Sequence, residues 1–138
     1  MLLVVDDATN LLTQEFTLNS HQRVHVRQVS LWLYAHNIQN ADTFEIRLYD
    51  SDSNLVWDHA TTGSLIKSYI GSNTYSHGKF NIDTENDLIL GPGTYTLELE
   101  QLTGYTVNNF LSWARDWEST YQELHDTSLN DGTEPFYL

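Results

Sequence analysis

The chain contains no cysteine. Its fold therefore rests on no disulfide, and every zinc site that uses thiolates is excluded. Basic residues are scarce: six Lys+Arg stand against nineteen Asp+Glu, a formal net charge of −13. A phosphate backbone needs a basic stripe, and none exists, so nucleic-acid binding is not expected. Attachment to an anionic membrane surface is disfavoured for the same reason, while solubility at high salt and cation binding both suit the charge. No apolar run approaches the roughly 20 residues that span a bilayer, so no membrane insertion is expected. Met1 is followed by Leu2-Leu3-Val4-Val5 and then Asp6-Asp7. That run is too short for a signal-peptide core and lacks a basic flank. The expectation is a soluble chain that leaves a cell, if at all, by lysis or within a larger assembly.

What is present suits β-structure. The 138 residues form one expected domain, 1–138, with 1–7 read as an edge strand or a linker. A chain of this size buries about two-thirds of its unfolded surface. Aromatics make up 12%, with four Trp and eight Tyr, and aromatic side chains favour strands. Leu12, Gln14, Phe16 and Leu18 share one parity, as do Phe44, Ile46 and Leu48, then Phe80 and Ile82, then Tyr95, Leu97 and Leu99. A period of two marks a strand with one face on a core and one in water. Between Arg23 and Tyr34 the apolar parity changes: Val24 and Val26 share one phase, Val29, Leu31 and Leu33 the other. A slip by one residue turns the apolar set to the wrong face, so it demands a break or a bend near Arg27-Gln28. Ser64–Ile70 fits a helical turn or an irregular crossover as well as a strand. Asp50–Asn54 reads as a hairpin tip, and Gly91-Pro92-Gly93 as the turn of a second hairpin spanning Leu88–Leu102. Tyr121–His125 and Pro135–Leu138 read as further strand-like sequence. About nine short strands at intervals of roughly 8–15 residues, without a strong helix, predict an all-β antiparallel sandwich or barrel.

Four pieces carry a resemblance: Gln14-Glu-Phe-Thr-Leu18, Val29-Ser-Leu-Trp-Leu-Tyr34, Phe44-Glu-Ile-Arg-Leu-Tyr-Asp50 and Leu90-Gly-Pro-Gly-Thr-Tyr-Thr-Leu-Glu-Leu99. In this order the chain resembles the jelly-roll β-sandwich module of phage tail and virion-surface proteins, a type also found as carbohydrate-binding accessory domains of bacterial secreted proteins. The resemblance implies a jelly roll of about eight or nine strands, and a binding or structural module rather than an enzyme.

Candidate chemistry is sparse. Asp50, Asp52 and Asn54 could offer oxygens to calcium, but the loop is no EF-hand and these residues also cap turns without metal; no cofactor is expected. Six histidines raise the question of zinc. His21 and His25 would stand about 13 Å apart along a strand, too far to share an ion, so a metal site is not expected. Trp113, Arg115 and Trp117 share one phase, an arrangement in which indole faces stack on sugar rings beside charged groups; core packing of Trp113 is the competing reading. Trp32 is out of phase with Leu31 and Leu33 and is read as a contact with solvent, a second subunit or another partner. Glu98 and Glu100 read as ordinary outward charges. No Gly-x-Ser-x-Gly elbow, phosphate-binding glycine loop or His-Glu-x-x-His occurs, so no enzyme is expected. These readings converge on a virion structural protein of a bacteriophage at the particle surface: a tail or fibre receptor-binding module or a capsid-decoration protein. Other virion proteins, a second and third copy in a homotrimer, and a host-surface glycan are the expected partners. The alternative is an extracellular carbohydrate-binding module of a bacterial enzyme or adhesin.

Overall fold

The structure is a computed structural model that describes residues 2–5, 9–71, 78–84 and 88–116, with side chains described at 9–71, 78–84 and 88–112. In chain order the strands are β1 (Leu2–Val5), β2 (Leu11–Leu18), β3 (Val24–His25), β4 (Gln28–His36), β5 (Thr43–Tyr49) and β6 (Leu55–Thr62). A helix, α1 (Gly63–Ile70), is followed by β7 (Gly78–Asp83), β8 (Ile89–Leu90), β9 (Gly93–Gln101) and β10 (Phe110–Asp116). One four-stranded sheet, sheet A, has the order β1-β10-β4-β7; a second, sheet B, has β2-β9-β5-β6. A short ribbon joins β3 to β8.

The pairing has a simple logic. β1 lies antiparallel to β10, β2 to β9, β3 to β8, β4 to β7 and β5 to β6. The chain is thus one long folded-back ribbon whose tip is Asp50–Asn54. Rolling that ribbon up brings β10 beside β4 and β9 beside β5. Two facing four-stranded antiparallel sheets with this order are a jelly roll, the all-β sandwich that the alternation anticipated.

The alternating residues make the core. Leu12, Phe16 and Leu18 of β2, Phe44, Ile46 and Leu48 of β5, and Tyr95, Leu97 and Leu99 of β9 are all buried against Leu31, Leu33, Phe80 and Leu111 of sheet A. Each such side chain contributes roughly 1.5–3 kcal/mol by leaving water. The parity change falls where β3 ends and β4 begins: the two strands belong to different sheets. Val26 N–H donates to the Leu88 carbonyl (2.8 Å), Thr84 N–H to that of Arg27 (2.9 Å), and the Thr84 hydroxyl to Val26. These bonds satisfy the backbone at the corner, where the ribbon leaves one sheet for the other.

One reading of the chain is corrected, and two that stood open are resolved. Leu88–Leu102 is not a hairpin: β8 pairs with β3, and β9 with β2 and β5. Gly91-Pro92-Gly93 turns a corner instead. Gly93 has φ +145°, and the Tyr95 hydroxyl donates to the Gly91 carbonyl (2.9 Å), pinning the corner to the strand that follows. Ser64–Ile70 resolves as a helix. Thr62 caps it, its hydroxyl accepting from Leu65 N–H (3.3 Å), and Ile66 and Ile70 are buried. Gly78 lies so close to Ile70 that a Cβ there would stand 2.4 Å from Ile70 Cα, which sets how tightly α1 docks on β7. Leu2–Val5, read as an edge strand or a linker, is an edge strand of sheet A.

Candidate functional site

β4 is an inner strand of sheet A, and its residues divide cleanly by parity. Val29, Leu31, Leu33 and Ala35 enter the core. Gln28, Ser30, Trp32, Tyr34 and His36 take the opposite face, which points away from sheet B. On that face Gln28 Nε2 donates to Asp83 Oδ1 (3.2 Å) and the Ser30 hydroxyl to Asn81 Oδ1 (2.8 Å). Trp32 stands across from Lys79 of β7 and Ala114 of β10 in the backbone register. The Tyr34 and His36 rings are 4.4 Å apart, and His36 stacks on Phe110 at 4.3 Å with 16° between planes. His36 Nε2 and the Ser112 hydroxyl share a hydrogen bond of 2.6 Å. The outer face thus runs from amides and a carboxylate, past Trp32, to a file of rings.

This face is packed where an outer sheet face is ordinarily wet. Phe110 is 7% exposed, Ser112 0% and Ser30 4%, yet Phe110 lies outside the core cluster. Trp32, Tyr34 and His36 are half-buried, and Tyr34, His36, Ser112 and Lys79 each make further interactions. Chemically the face can stack a flat apolar surface on its rings and meet hydroxyls or amides with the Gln28–Asp83 and Ser30–Asn81 pairs.

The other expected residues fall elsewhere. Trp113 and Arg115 lie in β10, paired through the backbone with Val5 and Leu3 of β1; Trp113 also pairs with Leu33 of β4. Trp117, like Tyr121–His125 and Pro135–Leu138, is outside the described residues. Trp32 is where its parity put it, on the outer face. Tyr34, His36 and Phe110 are not named as site residues by the sequence reading, although Tyr34 and His36 share Trp32's parity.

At the ribbon tip, Asp50 Oδ1 accepts from the N–H groups of Asp52 and Asn54 (both 2.9 Å), and Oδ2 from Asn54 Nδ2 (3.2 Å). These bonds, the Asn54 backbone bond foremost, hold the Asp50 carboxyl below its ordinary pKa. The carboxylate is used in closing the turn, where Ser53 takes φ +64°. Among the described residues no group of three or more His, Cys, Asp or Glu is placed to hold a metal ion.

Sheet B has an outer face of different character. Glu98 and Glu100 are not simply wet charges: Arg47 reaches Glu45 (3.0 Å), Glu98 (3.3 Å) and Glu100 (3.1 Å) from the centre of the face. Glu100 and Glu45 push the Arg47 guanidinium pKa up, the hydrogen bond to Glu100 most of all, against a smaller opposing effect of burial. At the end of the sandwich, the buried Asp42 carboxylate accepts from Gln39 N–H (2.8 Å) and Asn109 Nδ2 (3.2 Å), tying the 37–42 loop to the 102–109 loop. Nearby, Gln101 Oε1 is buried without a partner and lines a void of about 10 Å³, room for about one water molecule.

No family model matches the chain, and no curated protein matches it. Three solved structures are distantly similar to it. A carbohydrate-binding module specific for non-crystalline cellulose, CBM28, is 9% identical, with a TM-score of 0.46 over 83% of this chain and 69% of that one. FlgD from P. aeruginosa is 13% identical, with a TM-score of 0.36 over 80% and 67%. VP2 of the infectious bursal disease virus subviral particle is 11% identical, with a TM-score of 0.36 over 83% of this chain and 31% of that one. At these identities and TM-scores the likeness carries no argument, and nothing about fold, ligand or partner passes from these proteins to this chain; the jelly roll rests on the strand order itself.

Proposed function

We propose that this chain is a non-enzymatic structural module of a bacteriophage particle, sitting at the virion surface as a tail or fibre receptor-binding protein or a capsid decoration. Its neighbours would be other virion proteins and further copies of itself, a trimer being the simplest closed arrangement, and it would need no cofactor. The observation that carries the reading is Trp32, half-buried in an inner strand on a face that the sandwich core does not use. Large aromatic side chains at the centre of such a face are what protein contacts are built around. The net charge of −13 keeps isolated copies soluble until a specific surface brings them together. Light scattering tests the assembly: a defined oligomer that Trp32→Ala dissociates, without unfolding, supports it. A monomer at all concentrations removes the trimer.

A second reading, an extracellular carbohydrate-binding module, is favoured by one specific feature. Aromatic rings on the outer face of sheet A lie in line with the Gln28–Asp83 and Ser30–Asn81 hydrogen-bonding pairs. Sugar rings present apolar faces and peripheral hydroxyls, which this row matches. A glycan array separates the readings: specific binding lost in both Trp32→Ala and Tyr34→Ala favours the second, and a blank array the first.

A further inference from the structure

The edge of sheet B at β6 is built unlike the edges of sheet A. β6 is eight residues long, Leu-Val-Trp-Asp-His-Ala-Thr-Thr, with no proline, glycine or lysine. Proteins usually blunt an edge by short length, lysine, proline or a cover, because its unpaired N–H and C=O groups recruit other strands. The edges of sheet A follow that rule: β1 has four residues, and β7 carries Lys79 and lies against α1. Along β6 the register to β5 shifts only at Leu48/Tyr49, beside the tip, and is otherwise continuous from Thr62 to Trp57. Among the described residues no strand pairs with its outer side. Leu55 and Val56 are exposed, and Thr61, 6% exposed, has a hydroxyl without a partner.

The face beside this edge states what could add there. Asp58 pairs across with Arg47, and Glu45, Glu98, Glu100 and Glu15 occupy the same outer face of the sheet. Five carboxylates and one guanidinium thus share this face, and only Glu45, Glu98 and Glu100 reach the guanidinium. A second copy added through its own β6 would lay one such acidic face beside another, which like-charge repulsion opposes. A strand with lysine or arginine at every second position would instead place a basic side chain one strand spacing, about 4.8 Å between backbones, from Asp58, with its other side chains on the side of Trp57, His59 and Thr61.

We propose that β6 is an augmentation edge that takes an extended basic segment of another polypeptide as a fifth strand of sheet B. This surface is separate from the outer face of sheet A, and its test is independent of the virion and carbohydrate readings. The probe is a terminus-blocked ten-residue peptide of alternating Lys and Val, titrated into the full 15N-labelled chain. The expected result is shifts of the Leu55–Thr62 amides with slowed hydrogen exchange. An alternating Glu and Val peptide should bind at least tenfold more weakly, as should the Lys and Val peptide N-methylated at alternate residues. Asp58→Lys, an exposed change that leaves the core intact, should weaken binding severalfold. No binding of the lysine peptide would overturn the proposal. So would shifts spread over Glu15, Glu98 and Glu100 with no protection of β6 amides, since that pattern is charge attraction without strand pairing.

Discussion

Single polar groups close this fold at its turns, and two of them give direct tests. Asp50 holds the ribbon tip by accepting three hydrogen bonds, and its carboxyl pKa lies below the ordinary 3.8. A depressed carboxyl favours the folded chain above the unfolded pKa, and that contribution is lost as pH falls through the folded value. NMR titration should therefore place Asp50 below 3.8, and Asp50→Ala should lower the melting temperature at pH 7 but much less at pH 2. Tyr95 works in the opposite sense. Burial, with a smaller push from Asp50, raises its pKa. Its contribution is full below the unfolded pKa and fades as pH rises through the folded one. Tyr95→Phe keeps the ring stacked on Phe16 and removes only the hydroxyl, so urea unfolding should show a loss of about 1 kcal/mol with an unchanged m-value.

At the scale of elements, the loops at the end of the sandwich are tied through Asp42, and Gly104 is what lets them approach. Gly104 has φ +81°, and a Cβ there would lie 1.9 Å from Asp42 Oδ1. Gly104→Ala adds left-handed strain to that clash and should cost about 2–3 kcal/mol, read as a lower urea midpoint. The strands themselves were legible. Period-two alternation located β2, β5, β7 and β9 with their buried residues, because alternation is a local consequence of one face meeting a core. The phase change before β4 located a break, although only the partner strands reveal that it is a passage between sheets. Where the reading failed, the deciding contact was remote. Gly91-Pro92-Gly93 carries the chemistry of a hairpin turn between two apolar runs. Whether those runs pair is settled by β3 and β2, some seventy residues away in sequence. In the same way nothing local joins Arg47 to Glu98 and Glu100, so two ligands of a guanidinium looked like ordinary outward charges. The candidate face shows both limits. Trp32 was found by parity, while Phe110 and Ser112 join it only because β10 returns beside β4.

The whole molecule is a folded-back ribbon rolled into a jelly roll, strongly acidic, with a packed aromatic face on one sheet and a charged face on the other. On the proposed function, this chain is a particle component that would meet its neighbours through the outer face of sheet A. The most direct test is cryo-electron microscopy of the purified phage particle from the chain's source. The expected map shows the jelly roll on the particle surface at a symmetric copy number, with Trp32 buried against an adjacent subunit. Purified particles that lack the chain, or that hold it with Trp32 facing solvent and the outer face of sheet A uncovered, would contradict it.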